Sequence, residues 1–251
     1  MAARRRSFAL LPVFISAICA AIAARMAWRE PRYLMPFLLI AAVTVLPAWL
    51  ARRRMRRLLM SGDVMRVIGT WQGSVERVMY PETMAPLMIA TAYAAYGWID
   101  AGRTALSRAV KGPAWEAALE QRLFVETLLD TFEGDRLGAM QKASALLTMP
   151  MPSAGVFGKM RIARLRRGIV AFARAFAHES DPADARALKL AASSSPLIHW
   201  AMRYASAVVA IDQGKKEEVP ELLAGAPHWP KQSAFRAFHD ELLSQLGTAS
   251  G

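Results

Sequence analysis

Residues 7–24 and 33–51, stretches of 18 and 19 residues, contain no charged side chain, and nothing else in the sequence constrains its fold as strongly. Each is long enough to cross a bilayer as an α-helix. Arg4, Arg5 and Arg6 precede the pair and Arg52, Arg53, Arg54, Arg56 and Arg57 follow it, whereas only Arg25, Arg29 and Arg32 lie in the eight-residue connection. Arg near helix ends favours the cytoplasmic side, so the balance predicts a transmembrane hairpin over residues 1–57 with both ends in the cytoplasm. Residues 58–251 then form a cytoplasmic domain. A second reading takes Arg4 to Arg6 as the start of a signal peptide, residues 8–20 as its apolar region and Ala21-Ile22-Ala23 as its cleavage site. Both readings leave residues 52–57 inside. A lipoprotein signal fits less well, because Ile18 precedes Cys19 where a small residue belongs.

The formal charge of +12 invites a nucleic-acid reading until it is divided along the chain. Residues 1–57 hold 11 Arg and one Glu, and the remaining residues carry a net charge of only +2. The high pI therefore reports the membrane flanks, and no strong basic field is left for DNA or RNA. Cys19, the single cysteine, lies in the first apolar stretch, so no internal disulfide and no thiolate metal site can form. Residues 58–251 are rich in Ala, Leu, Met and Arg, all strong helix formers, and they are enough for one sizeable core.

A Gly or Ser followed sixteen residues later by Pro occurs four times: Gly97 to Pro113, Gly134 to Pro150, Ser180 to Pro196 and Gly214 to Pro230. Gly or Ser permits the turn that ends one helix, about three turns of a second helix follow, and Pro stops it. Fixed spacing of this kind marks repeated units, here helical hairpins. In the first, residues 87–96 form a helix, Gly97-Trp98-Ile99-Asp100 the turn, and residues 101–110 the return, with Ala105, Leu106 and Ala109 inward. In the second, Leu123, Leu128, Leu129 and Phe132 line the outgoing helix, Glu133-Gly134-Asp135 the turn, and Leu137, Met140, Ala143 and Leu147 the return. Gly102 and Ala139 fall at equivalent places, where small side chains let helix backbones approach. The third runs through Ile162, Leu165, Ile169, Phe172 and Phe176 to a turn at residues 179–182 and returns through Ala185 and Leu188. The fourth runs through Trp200, Tyr204 and Val208 to Gly214 and returns through Val219, Leu222 and Leu223. Phe235, Phe238, Leu242 and Leu246 share one face of a last helix, suited to cap the array. Ser61-Gly62-Asp63 repeats the pattern of Glu133-Gly134-Asp135 and announces an earlier half-unit over residues 64–78. Two readings fit there: the second membrane helix runs straight on into the array, or Ser61-Gly62 is a flexible joint.

Ala92-Tyr93-Ala94-Ala95-Tyr96-Gly97 with Gly102, Leu106, Ala109 and Pro113 resembles the tetratricopeptide repeat family. Partial signatures recur at Gly134, Ala139 and Pro150, at Phe176, Ala185 and Pro196, and at Gly214, Ala226 and Pro230. The resemblance covers roughly residues 81–230 and departs from the family in its proline separations of 37, 46 and 34 and in lacking the early Trp and Leu-Gly pair. It implies stacked helix pairs in a right-handed α-solenoid whose concave face binds other proteins. Two membrane helices followed by helical repeats are similar in layout to bacterial inner-membrane scaffold proteins of the porphyrin-operon type.

Chemistry-bearing residues are sparse. His178, His199, His228 and His239 form no metal-ligand pair at helical spacing. His178 suits a cap on the carbonyl end of its helix; the others read as surface or packing residues. Ser153 to Met160 faintly resembles a phosphate-binding loop but lacks its first glycine and its magnesium-holding hydroxyl. Glu217, Glu218 and Glu221, and Asp240 and Glu241, read as solvated helix faces. No nucleophile, base and orienting group come together, and the sequence predicts no enzyme, no cofactor and no metal.

The richest feature is Lys159, Arg161, Arg164, Arg166, Arg167 and Arg174, six basic residues with no acidic side chain between Leu137 and Glu179. At 100° per residue Lys159, Arg164, Arg166, Arg167 and Arg174 spread over one half of a helix, opposite Ile162, Leu165, Ile169, Phe172 and Phe176. Three readings stay open: a solvated face balanced by acids from neighbouring helices, a partner-binding face for acidic protein segments, or a contact with anionic headgroups. Met149-Pro150-Met151-Pro152-Ser153 reads as a hinge or a long turn. The sequence as a whole predicts an all-α, membrane-anchored scaffold that assembles or localises a membrane complex. The alternatives are an anionic-lipid-binding module or a non-catalytic subunit of a membrane enzyme.

Overall fold

Glycines where the chain must turn left-handed, and aspartates directly after them, set the helix boundaries in a computed structural model of the protein that describes Arg25, residues 34–75 and residues 77–247. Gly62 (φ 78°) and Gly134 (φ 83°) adopt a conformation that costs other residues about 1 kcal/mol or more. The following Asp63 and Asp135 then cap the next helix, accepting from the backbone N–H of Arg66 at 3.0 Å and of Gly138 at 2.9 Å. The two triplets that look alike in sequence thus build the same turn. Gly97 and Gly214 also have positive φ. In the third unit the left-handed residue is His178 (φ 59°) rather than the expected Ser180.

The described residues are helical, with no β-strand. Helix α1 spans Leu34–Leu59, α2 Val64–Val75, α3 Pro81–Ala95, α4 Ile99–Ser107, α5 Pro113–Ala117 and α6 Leu119–Glu133. Then come α7 Arg136–Thr148, α8 Val156–Ala177, α9 Asp184–Ser194, α10 His199–Asp212, α11 Val219–Leu223 and α12 Ala234–Gly247. The chain divides into two units, Met1–Met55 and Arg56–Gly251. In the first, α1 contains Pro47 and exposes Met35, Leu38, Leu39, Val43, Val45, Leu46, Trp49 and Leu50. Of the expected membrane pair, residues 7–24, with the signal-peptide and lipoprotein readings, lie outside the described residues, and residues 33–51 are only partly inside them. Among the described residues no helix is long and apolar enough to cross a membrane.

In the second unit α3 packs on α4 and α6, α6 on α7 and α8, and α8 on α9 and α10, while α4, α7 and α9 each also touch the first helix of the following pair. This is the neighbour-to-neighbour pattern expected of repeated hairpins. Burial separates two layers. The first helices α3, α8 and α10 are buried on several sides, with Ala90, Ala92, Ala94, Ala171, Ala175, Ala201, Ala205 and Ala207 fully enclosed, whereas α4, α7, α9 and α11 bury one narrow face. Alanine-rich faces allow the inner helices to approach closely, and at Gly168 of α8 a Cβ would meet Ala191 Cβ of α9 at 2.2 Å.

Several expectations need correction. The inward face of α7 is Ala139, Ala143 and Leu146, while Leu137 and Leu147 are exposed. Ala185 is exposed too, and α9 buries Asp184, Leu188 and Ala191 instead. The fourth return is only α11, preceded by one short 3-10 turn, because Pro220 and Gly225 bracket it. At Ser61-Gly62 the chain turns instead of running straight on, with Tyr96 Oη donating to Leu59 O at 2.6 Å and Trp200 Nε1 donating to Met60 O at 2.8 Å.

The largest correction concerns the last segment. Residues 227–242 do not simply cap the far end. Pro227 and Trp229 lie against Gly62, Trp229 packs between Tyr96 (6.5 Å) and Trp200 (6.3 Å), and Ser233 Oγ donates to Tyr96 O at 2.7 Å. Ala234 N–H donates to Gly97 O at 2.8 Å, and Phe235 stacks on Tyr204 at 4.8 Å and meets Phe132 edge-on at 5.3 Å. The 3-10 turn Pro196–Ile198 that opens the fourth unit also touches α3. Aromatic residues of the last segment therefore join the first hairpin to the second and fourth.

Candidate functional site

Helix α8 carries every basic residue singled out from the sequence, and its packing sorts them into two groups. Ile162, Arg166, Ile169 and Ala173 follow one another at one-turn spacing, so Arg166 stands on the core stripe. It is 2% exposed. Its Nε donates to Glu120 Oε1 at 2.9 Å, and its two terminal nitrogens donate to the carbonyls of Met149 at 2.5 Å and Pro150 at 3.1 Å. A planar guanidinium is suited to bridge a carboxylate and two carbonyls at once. The supposed hinge at Met149-Pro150 is thereby pinned, and Arg166 leaves the partner-facing set. Arg174 is also engaged: its Nη2 donates to the buried Asp184 Oδ1 at 2.8 Å, and Asp184 Oδ2 accepts from the Asp181 N–H, tying down the turn between α8 and α9. Both are paired with acids from neighbouring elements, but Arg166 is enclosed and not part of a solvated face.

Lys159, Arg161, Arg164 and Arg167 are exposed and make no ion pair with a described residue. They surround exposed apolar side chains at the start of the same helix, Val156, Phe157 and Met160. The weak phosphate-loop string falls on this helix start, with no strand before it.

A second feature was not visible in the sequence. A cavity of about 300 Å³ opens between the C-terminal ends of α6, α8 and α10 and the side of α12. Phe132, Phe176 and Phe238 line it with mutual centroid distances of 6.0, 5.9 and 5.0 Å, joined by Val208, Ile211 and Leu242. Glu133, Arg136, His178, Asp212 and Glu241 stand around these apolar residues. Glu133 is held by Arg103, and His178 Nδ1 lies 3.0 Å from Asp212 Oδ1. His178 does occupy the helix C-cap position, donating its backbone N–H to Ala175 O, but its imidazole turns to Asp212 rather than to the carbonyl end. Phe132, Phe176 and Tyr204 come from the second, third and fourth hairpins and Phe238 from the last helix, at different sequence distances, so no local motif announces the cavity.

The remaining polar groups hold the fold. Buried Asp130 on α6 accepts from Arg103 of α4 and from Lys142 of α7; the Glu133 hydrogen bond, and after it that of Asp130, raises the Arg103 pKa against the opposing effect of burial. Burial raises the Tyr96 and Tyr204 hydroxyls well above the ordinary range, and Tyr204 accepts from Trp229 Nε1 at 2.8 Å while lying 2.9 Å from His239 Nδ1. His199 stands edge-on to Trp200 at 5.1 Å; burial, then Arg203, lower its pKa, with the Ala192 carbonyl acting in the opposite direction. Glu217, Glu218, Glu221, Asp240 and Glu241 are exposed. Among the described residues no three His, Cys, Asp or Glu side chains gather as a metal site. No protein-family model, curated protein or solved structure matches the chain.

Proposed function

We propose that the protein is a membrane-anchored scaffold: residues 7–24 and 33–51 form a transmembrane hairpin, and residues 58–251 form a cytoplasmic, tetratricopeptide-like array that binds other proteins and helps to assemble or localise a membrane complex. The observation that carries the reading is α1, whose described apolar side chains from Met35 to Leu50 are all exposed and whose last turn carries Arg56 and Arg57. Exposed apolar side chains over that part of a helix favour an apolar surrounding, and a bilayer supplies one. The hairpin domain contributes a cavity with an aromatic lining and a mixed-charge rim, the arrangement in which a partner's apolar side chain anchors while polar groups fix its register. No catalytic role is proposed.

Two measurements test this. A reporter active only outside the cytoplasm, fused after Met60, should stay silent, and strong activity would overturn the topology. A photoreactive residue in place of Glu241 should give a discrete adduct in cells that Phe238→Asp abolishes, whereas the same group in place of Lys189, exposed on α9, should not. Equal yields at both positions would remove the cavity from the reading.

A further inference from the structure

The first turns of α8 set exposed apolar side chains beside exposed basic ones. Val156 is 73% exposed, Phe157 88% and Met160 46%, and Met151 just before the helix is exposed as well. Val156, Met160, Arg164 and Arg167 follow one another at one-turn spacing, so apolar side chains at the start of the stripe give way to basic ones along it. Phe157, Arg161 and Lys159 flank them. Lys159, Arg161, Arg164 and Arg167 have no ion pair with a described residue, and no acidic side chain lies between Leu137 and Glu179 in the sequence.

Charge and exposure decide what this patch fits. Of three cavities in the domain, none takes a side chain from residues 156–161. Ile162 and Leu165 line one of those cavities, on the opposite side of α8. The patch presents exposed apolar side chains at the helix start and exposed cations along the same stripe. An anionic bilayer surface accepts that pattern: apolar and aromatic side chains enter the interfacial layer while long basic side chains reach the phosphates.

We infer that the start of α8 is a peripheral contact with an anionic membrane surface, in which Val156, Phe157 and Met160 insert and Lys159, Arg161, Arg164 and Arg167 bind lipid phosphate groups. The contact does not depend on the transmembrane hairpin being correctly assigned. It also explains why a domain with a net charge of only +2 places on a few turns of one helix four cations that have no ion pair with a described residue.

The test uses the full chain with Cys19→Ser and Phe157→Cys, labelled at position 157 with an environment-sensitive fluorophore and incubated with vesicles of phosphatidylcholine alone or mixed with phosphatidylglycerol. The label should brighten and become shielded from an aqueous quencher only in the mixed vesicles. High salt should reverse the effect. Each basic side chain near an anionic surface contributes roughly fivefold in affinity, so Arg164→Gln with Arg167→Gln should reduce the shielded population at least tenfold, about what the loss of two such contacts predicts. A label at Lys189→Cys should stay exposed, and an unchanged circular dichroism spectrum keeps misfolding out of the comparison. Equal exposure at position 157 in both vesicle types, equal shielding in both, or equal shielding at position 189 would each overturn the inference. So would shielding that appears only when an acidic protein is added, because the patch would then be a protein site. Flotation with neutral vesicles reports the hairpin anchor separately, so the two readings fail independently.

Discussion

At the scale of single residues the structure turns on Arg166, a cation enclosed among helices. Its charge is tolerable there because Glu120 and two carbonyl groups replace the water it gives up. Arg166→Leu should cost about 3 kcal/mol in urea denaturation, since Glu120 and the carbonyls of Met149 and Pro150 lose their donor. Arg166→Lys should recover only part, lacking the fork that reaches three acceptors. Arg167→Gln, one residue away, exposed and without an ion pair among the described residues, should leave the midpoint unmoved. The sequence contained the clue to this difference: Arg166 lies on the Ile162, Ile169 and Ala173 stripe, but a basic residue there looks like the edge of a polar face until its partners are known. Those partners, Glu120 and the 149–150 carbonyls, belong to other elements and cannot be placed by spacing along α8. His199 gives a prediction in pH. Its folded pKa lies below the ordinary 6.5, so the unfolded chain takes up the proton first. The stability tied to its neutral form is complete above that value and is lost as pH falls below it toward the folded pKa. His199→Gln should flatten the acid-side fall in melting temperature measured below pH 6.5.

At the scale of elements, helix ends were readable and helix faces less so. Gly62, Gly97, Gly134 and Gly214 mark real turns because a left-handed backbone is a local demand that a local residue type meets. The inward face of α7 is different: Leu137 and Leu147 are expected inward with Ala143, whereas Ala139 and Leu146 accompany it. Small residues win there because neighbouring helices lie close, and closeness is a property of pairs of helices. Gly168 is the sharpest case. A methyl group at that position would stand 2.2 Å from Ala191 Cβ, so Gly168→Ala should force α8 and α9 apart and destabilise by about 1 to 3 kcal/mol. Nothing lies within 4 Å of a Cβ built at Gly69 in α2, so Gly69→Ala should stabilise by about 0.5 to 1 kcal/mol through helix propensity alone. Thermal melts of the two variants should move in opposite directions; a shift of the same sign would mean the α8–α9 spacing relaxes easily.

At the scale of the hairpin domain as a whole, the question is whether the repeats act as an open stack or as one closed body. In an open stack each unit touches only its neighbours, and damage at the end of the chain stays there. Here Trp229, 2% exposed, joins Tyr96 of the first hairpin to Trp200 and Tyr204 of the fourth, and Ser233 and Ala234 hydrogen-bond to the carbonyls of Tyr96 and Gly97. No sequence signal predicted this closure, because its contacts span more than 130 positions, as in the 137-residue separation between Ser233 and Tyr96. Trp229→Ala removes an indole that fills the junction and donates to Tyr204, and should cost about 3 to 5 kcal/mol. The distribution of that cost separates the two architectures. In a closed body, amide exchange should accelerate in α3 as much as in α10, although Trp229 follows α3 by more than a hundred residues. In an open stack, α10 to α12 would lose protection while α3 kept its own. Hydrogen-exchange rates of the α3 amides in the full chain, compared with those of α10, therefore decide whether the last segment is a lock across the first and fourth units or merely their neighbour.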